Sequence, residues 1–318
     1  MTRPSTADPT RDGWLIDPRN SKSWKNFHSM QRPSIIACGE VLWDLFPDRT
    51  CFGGAPANFA CQAAMLGGDV RLLTAVGNDP RGKAARQLLR DYGVDTELVQ
   101  NRPDFPTGTV AVTLDAHGSP TFTIHAPSAW DYLEWDPRLI ERITPASIVY
   151  FGTLGQRGPA SRAIIQRTLK MAQTVRALRI LDINLRPPFF DAELIRQAVS
   201  YASVLKISDS ELPIVSAVYD LPDDADVPRS LSRLRQQTQL DLIALTQGAE
   251  GAWLIDARQA VQQAGIPTEV CDTVGAGDAF TAALGIGLWR GMDLPLLAEH
   301  ACRVAAATCA HPGAIPPC

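Results

Sequence analysis

Short, nearly continuous apolar runs recur along the chain, at residues 34–38, 70–76, 147–151, 179–183, 204–207, 242–246 and 252–255. Between most of them lie stretches with apolar residues at helical spacing, at 57–66, 82–92, 160–178 and 192–202. Apolar strands of this kind are buried on both faces, so the alternation predicts an α/β fold, a doubly wound and mostly parallel sheet flanked by helices. One stretch breaks the rhythm. Residues 109–114 and 121–125 alternate apolar and polar positions strictly, with 115–120 turning between them. That pattern predicts a hairpin with one wet face. A hairpin set into an α/β chain predicts a small β-sheet lid beside the main sheet.

The chain has 318 residues, 45% hydrophobic and 20% charged, with a formal net charge of −4. This is core material for one large domain or two, and it excludes a wholly disordered chain. No apolar run reaches the ~18–20 residues of a membrane helix, so no membrane partner is expected. A pI near 5.8 offers no positive field for collecting phosphates, so no nucleic acid is expected either. The most basic stretch, 229–235, reads as the solvated face of a helix. Seven cysteines without a CxxC pair form neither a disulfide framework nor a zinc knuckle, and reduced thiols point to the cytoplasm. Residues 1–32 are polar and broken by Pro and Gly, without the roughly 7–15-residue apolar core of a signal peptide. They are expected to be a loose extension or an extra surface strand ahead of a domain spanning 33–318.

The sharpest chemical signal is Asp272-Thr273-Val274-Gly275-Ala276-Gly277-Asp278, followed by a helical run at 279–284. Glycines let the backbone approach a ligand closely, and the first N–H groups of a helix are unpaired. With the helix dipole they make an anion site. Asp278 places a carboxylate at its rim, where it can take a proton from an attacking hydroxyl. Taken alone, the stretch also reads as a glycine-rich turn with a capping Asp. Asp182, Asn184 and Arg186 alternate at the end of an apolar run and are expected on one face, at the sheet edge where ligands bind. Arg186 suits phosphate oxygens, a structural salt bridge being its alternative. Lys206, one of five lysines, ends another apolar run.

These residues are accompanied by Gly53-Gly54-Ala55-Pro56-Ala57-Asn58-Phe59-Ala60 and Ala75-Val76-Gly77-Asn78-Asp79-Pro80-Arg81-Gly82. The whole set resembles the two signatures of the ribokinase or PfkB family of sugar kinases, in family order, over roughly residues 34–316. Gly39-Glu40-Val41-Leu42-Trp43-Asp44 and Asn184-Leu185-Arg186-Pro187-Pro188 are most similar to the fructokinase branch. The resemblance implies a ribokinase-like fold and an ATP-dependent sugar kinase. Asp278 is then the catalytic base, and the N–H groups of Gly275, Ala276 and Gly277 are the hole for charge on the transferred phosphoryl. Asp44, Gly53, Gly54, Asn58 and Arg186 fall on the substrate side. Asn184, Lys206, Ser208, Glu211, Thr246, Gly248 and Gly251 fall on the nucleotide side.

The same likeness implies that Glu211 organises water around Mg²⁺, which keeps most of its waters. Ser208 stands where the family usually has Asn, with a shorter reach. A K⁺ site beside the anion hole is implied for the Asp272 region and Gly313-Ala314. Segments at about 41–52 and 105–130 would form the lid, and exposed lid edges point to a homodimer. Fructose is the expected acceptor. Another sugar or a nucleoside is the alternative within the class. A non-catalytic sugar- or nucleotide-binding member is the rival that Ser208 favours and Gly275, Gly277 and Asp278 oppose.

Residues 77–84 fit GxxxxGK, but Ala84 stands where a P-loop needs Ser or Thr, and Pro80 removes an N–H from the cradle. A turn with Lys83 solvated is expected there. The five histidines have no metal spacing. His125 is expected in a cross-strand contact, Trp130 and Trp135 in core packing.

Overall fold

A computed structural model of the chain describes residues 32–114, 120–222 and 224–316. The extension expected at 1–32 (Arg32 apart) and the turn at 115–120 (Pro120 apart) lie outside the described residues. In chain order the strands are β1 (Ser34–Cys38), β2 (Leu42–Leu45), β3 (Thr50–Gly53), β4 (Asp69–Val76), β5 (Val99–Asn101), β6 (Gly108–Leu114) and β7 (Pro120–Ile124). They continue with β8 (Ile148–Phe151), β9 (Leu178–Asp182), β10 (Val204–Ser208), β11 (Leu242–Thr246), β12 (Gly251–Ile255) and β13 (Ala260–Ala264). The helices are α1 (Ala55–Met65), α2 (Pro80–Asp91), α3 (Leu139–Arg142), α4 (Pro159–Thr174) and α5 (Ala192–Tyr201), then α6 (Leu212–Val218), α7 (Val227–Thr238), α8 (Ala276–Trp289) and α9 (Leu294–Cys309).

Nine of the described strands form the main sheet, in the order β13-β12-β11-β10-β9-β8-β1-β4-β5. It is parallel from β11 through β5, and β12 runs antiparallel to both of its neighbours. The order turns about β1, so the loops after β1 and β8 leave in opposite directions. That is where open α/β sheets receive ligands. Period-two alternation shares each strand between two cores. Ile35 and Ala37 pack with Phe59 of α1, Ala283 of α8 and Leu297 of α9, whereas Ile36 and Cys38 pack with Ile165 of α4, Ile195 of α5 and Leu231 of α7.

The second sheet has the order β3-β2-β6-β7, and β2 runs parallel to β6. The expected hairpin is there: Val110 and Val112 are buried with Leu42 on one face, while Thr113 and Thr123 on the other face are exposed. Trp43 Nε1 donates to the Arg81 carbonyl (3.2 Å), which ties this sheet to the start of α2.

Two expectations need correction. The helix drawn over 160–178 ends at Thr174, because Arg176 adopts a left-handed φ of 59° and the chain turns into β9 at Leu178. The alternation drawn through Asp182, Asn184 and Arg186 stops at Asp182, where β9 ends, and Asn184 turns with φ 40°. These three residues therefore do not share a strand face.

Asp79, Asp191, Asp226 and Asp293 each accept an N–H three residues on, capping α2, α5, α7 and α9. Helices α1 and α8 start differently, at Gly54 and Gly275, both with positive φ and no side-chain cap. Their first-turn N–H groups are left for something other than a side chain. At the GxxxxGK stretch, Asp79 fills the place of a phosphate, taking the Gly82 N–H and both the N–H and hydroxyl of Thr107 at 2.8 Å. Lys83 is exposed. Arg229 and Arg233 pair with Asp224 on the solvated face of α7. No described helix is long and apolar enough to cross a membrane.

Candidate active site

The glycine-rich starts of α1 and α8 face each other. Asn58, 5% exposed, donates from Nδ2 to Asp278 Oδ2 at 2.8 Å, and its own Oδ1 is buried without a partner. Asp278 keeps part of its surface open, yet its carboxyl lies deep enough for burial to push it up to about 7. The Asp182 charge pushes the same way, while the Asn58 hydrogen bond, Lys206 and Arg186 pull back. A carboxyl poised there can accept a proton near neutral pH. Of the three amides expected in the anion hole, the Ala276 N–H already points to the Thr273 carbonyl (3.3 Å). Gly275 has φ 78° and packs against the backbone of Ala314.

On the substrate side, Asp44 is half-buried on β2, and burial raises its carboxyl to about 6 against the pull of Arg186. A Cβ on Gly53 would stand 2.7 Å from Asp44 Oδ2, and one on Gly54 2.8 Å from the Glu40 carbonyl. Arg186 is exposed, donates to the Leu185 carbonyl (3.1 Å), and lowers the carboxyls of Glu40, Asp44 and Asp278 together. It stands among three carboxyls.

The nucleotide-side residues are less uniform. Lys206 is not open to a nucleotide: its ammonium is buried and bonded to Asp182 at 3.2 Å. Glu211 is buried as well, taking the Leu185 N–H on Oε1 and both the N–H and hydroxyl of Ser208 on Oε2, each at 2.8 Å. The Ser208 hydroxyl is thus committed to Glu211. Thr246 ends β11, and its hydroxyl donates to Ile207 (3.4 Å). Gly248 is exposed at φ 55° with nothing near its missing side chain. Gly251 is buried at φ 101° where a Cβ would run into Gln263 and Ala264, so the pairing of β12 with β13 accounts for it.

Sequence reasoning passed over the environment of Glu40. Its carboxyl is 3% exposed, has an unpartnered Oε2, and is pushed by burial to about 7. Its signal was a charged residue inside an apolar run. Arg157 was also missed: it grips Asp131 with two bonds of 2.8 Å and lies over Trp130 at 4.0 Å. Trp130 is a core side chain, as expected, and His125 meets Thr109 across the hairpin (2.7 Å).

Among the described residues no group of three His, Cys, Asp or Glu could cage a metal ion. A Mg²⁺ carried by nucleotide phosphates needs only one or two protein oxygens. Glu211 fits that lighter duty. Three of its roughly four lone-pair sites are taken, which leaves one for a water. Asp272 accepts the Val274 N–H and the Gly313 N–H, each at 3.0 Å, and so ties the glycine loop to the C-terminal segment.

A carboxylate between two uncapped helix starts at the switch point of a parallel sheet suits transfer of a phosphoryl group to a hydroxyl, and the relatives of this chain are phosphotransferases with an alcohol acceptor. Residues 49–318 match the model of the pfkB family carbohydrate kinases, and the chain belongs to that family, with its ribokinase-like fold. It is 30% identical over 265 residues to a fructokinase of Klebsiella pneumoniae, covering 80% of this chain and 84% of that one. It is equally 30% identical over 280 residues to an aminoimidazole riboside kinase of Salmonella typhimurium, covering 83% and 84%. Among solved structures, the fructokinase of Vibrio cholerae O395 in a fructose, ADP and calcium ion bound form has a TM-score of 0.76 at 28% identity, covering 89% of this chain and 94% of that one.

Proposed function

We propose that this carbohydrate kinase transfers the γ-phosphoryl of ATP to a hydroxyl of fructose. The observation that carries the reading is the Asn58–Asp278 contact, which leaves one buried amide oxygen and one carboxylate oxygen to receive a sugar hydroxyl. Asp278 accepts the proton of the attacking hydroxyl. The N–H groups of Gly275 and Gly277 receive charge building on the phosphoryl, joined by Ala276 once it leaves Thr273. Asp44, Gly53, Gly54 and Asn58 hold the sugar, the glycines by admitting no side chain, and Arg186 meets phosphate oxygens. Asn184, Ser208, Thr246 and Gly248 border the nucleotide.

Mg²⁺ bound with ATP neutralises phosphate charge, and Glu211 would hold it through water. A K⁺ ion beside Asp272 and Gly313-Ala314 belongs to the same reading. Residues 33–318 then act as one kinase unit in the cytoplasm. Segments 41–52 and 105–130 serve as a lid that keeps water from ATP. The edge strand β7, with Phe122 exposed, offers the face for a second subunit.

A second reading has its own support: the aminoimidazole riboside kinase relative matches as closely as the fructokinase does. ADP release with MgATP, measured over fructose, ribose, glucose, tagatose, 2-keto-3-deoxygluconate, adenosine and aminoimidazole riboside, separates the two. Turnover confined to fructose supports the proposal, and turnover confined to a riboside supports the second reading. ATP binding without turnover on any acceptor favours a non-catalytic binding member.

A further inference from the structure

Beneath the glycine loop lies a charge pair that the chemistry above does not use. Asp182 at the end of β9 and Lys206 on β10 are 1% and 8% exposed, and Lys206 Nζ donates to Asp182 Oδ1 at 3.2 Å. Thr281 of α8 is fully buried; its hydroxyl lies 3.1 Å from Asp182 Oδ2 and 2.8 Å from the Gly277 carbonyl, and can give its proton to either. A Cβ on Gly277 would stand 3.0 Å from Lys206 Nζ. The ammonium therefore lies against the backbone of the loop that opens α8.

A buried ion pair is weak evidence for stability, since apolar side chains of the same volume often serve the fold as well or better. Its position supplies another task. A positive charge in this dry layer sits just behind the N–H groups that face the phosphoryl, where charge acts strongly. Asp182 holds the ammonium at that point, and Thr281 links Asp182 to the first turn of α8.

We propose that Lys206, locked by Asp182, is the positioning charge of the anion hole: it fixes Gly277 and lends positive charge to the phosphoryl position without touching the nucleotide. The proposal rests on the kinase reading given above. The groups that face Asp278 are Asn58 from α1, Tyr150 from β8, Asp182 from β9, Arg186 from the loop after it, and Lys206 from β10. Asp182 raises the Asp278 carboxyl and Lys206 lowers it, so the two charges of the pair oppose each other there.

Three variants test this: Asp182→Asn, Lys206→Met and the two combined. The double variant loses both partners together, so its melting temperature is expected within a few degrees of the parent's. Its kcat is expected to fall about 10²-fold, while the acceptor KM changes less than about threefold. A carboxyl ¹³C NMR titration of the ligand-free protein supplies a readout that needs no turnover. Asp278 is expected to titrate lower in Asp182→Asn, where Lys206 is left unbalanced, and to return toward the parent value in the double variant. A double variant with parental melting and parental kcat overturns the proposal, as does an Asp278 titration unmoved by Asp182→Asn. If the parent protein phosphorylates no sugar, the kinase reading falls, while the NMR titration still judges the Lys206–Asp182 coupling.

Discussion

Asn58 Nδ2 donates to Asp278 Oδ2 across 2.8 Å, joining side chains 220 positions apart in the chain. The bond fixes the Asp278 carboxylate at the mouth of α8 and leaves its other oxygen for a proton. With this carboxyl at about 7, kcat/KM is expected to rise with pH below about 7 and to level above it, because a carboxyl in the proposed role of base works only when ionised. Asp278→Asn is expected to lower kcat by roughly 10²–10⁴-fold. A pH series of ADP release on both proteins checks this, and parental turnover in Asp278→Asn removes its role as base.

Glu40 gives a prediction about stability rather than turnover. Its folded carboxyl sits near 7 against the usual 4.5, so ionising it costs the folded state more than the unfolded one. Stability contributed by the neutral form is complete below about 4.5 and lost as pH rises through about 7. Glu40→Gln removes that cost and is expected to stabilise the protein at pH 8 by up to about 3 kcal/mol, with little gain at pH 4. Urea unfolding of parent and variant at both pH values measures the difference.

The site was legible where its chemistry is local. Asp278 and its glycines could be placed because a loop-to-helix signature lies within seven consecutive residues, Asp272 to Asp278. Lys206 was drawn toward the nucleotide because only the fold brings Asp182 from the neighbouring strand to hold it. Arg186 was put on a strand face because periodicity does not show where a strand ends, and here the left-handed Asn184 intervenes. The surroundings of Glu40 could not be read either, because the charges that reach it, Arg157 and Arg186, come from segments that no local pattern links to it.

Glu211 is expected to serve the fold and the metal through the same carboxylate. It accepts two backbone N–H groups and the Ser208 hydroxyl, so Glu211→Gln turns an acceptor into a donor facing donors. A loss of roughly 1–3 kcal/mol in stability is expected. The Mg²⁺ concentration for half-maximal ADP release is expected to rise several-fold. Ser208→Ala removes one of these bonds, leaving both backbone bonds in place, and should cost less stability than Glu211→Gln. Thermal unfolding and Mg²⁺ titration of the two variants check this. An unchanged Mg²⁺ requirement in Glu211→Gln confines the residue to a structural role.

Gly275 and Gly313 both have left-handed backbones, with φ of 78° and 82°, but only Gly275 is crowded. A Cβ there would run into the Ala314 carbonyl, whereas at Gly313 none of the described atoms beyond its two chain neighbours lies within 4 Å of that position. Both alanine variants should carry the cost of a left-handed non-glycine residue, on the order of 1–2 kcal/mol. Gly275→Ala must also push aside the C-terminal segment that Asp272 binds through the Gly313 N–H, and so shift the amides proposed to face the phosphoryl. Misplacing such groups by about 1 Å can cost roughly 10²-fold in rate. Gly275→Ala is therefore expected to lose about that much in kcat, and Gly313→Ala less than tenfold, at similar melting temperatures. Equal kcat losses in the two variants would show that backbone strain, rather than the contact with Ala314, sets the shape of the loop.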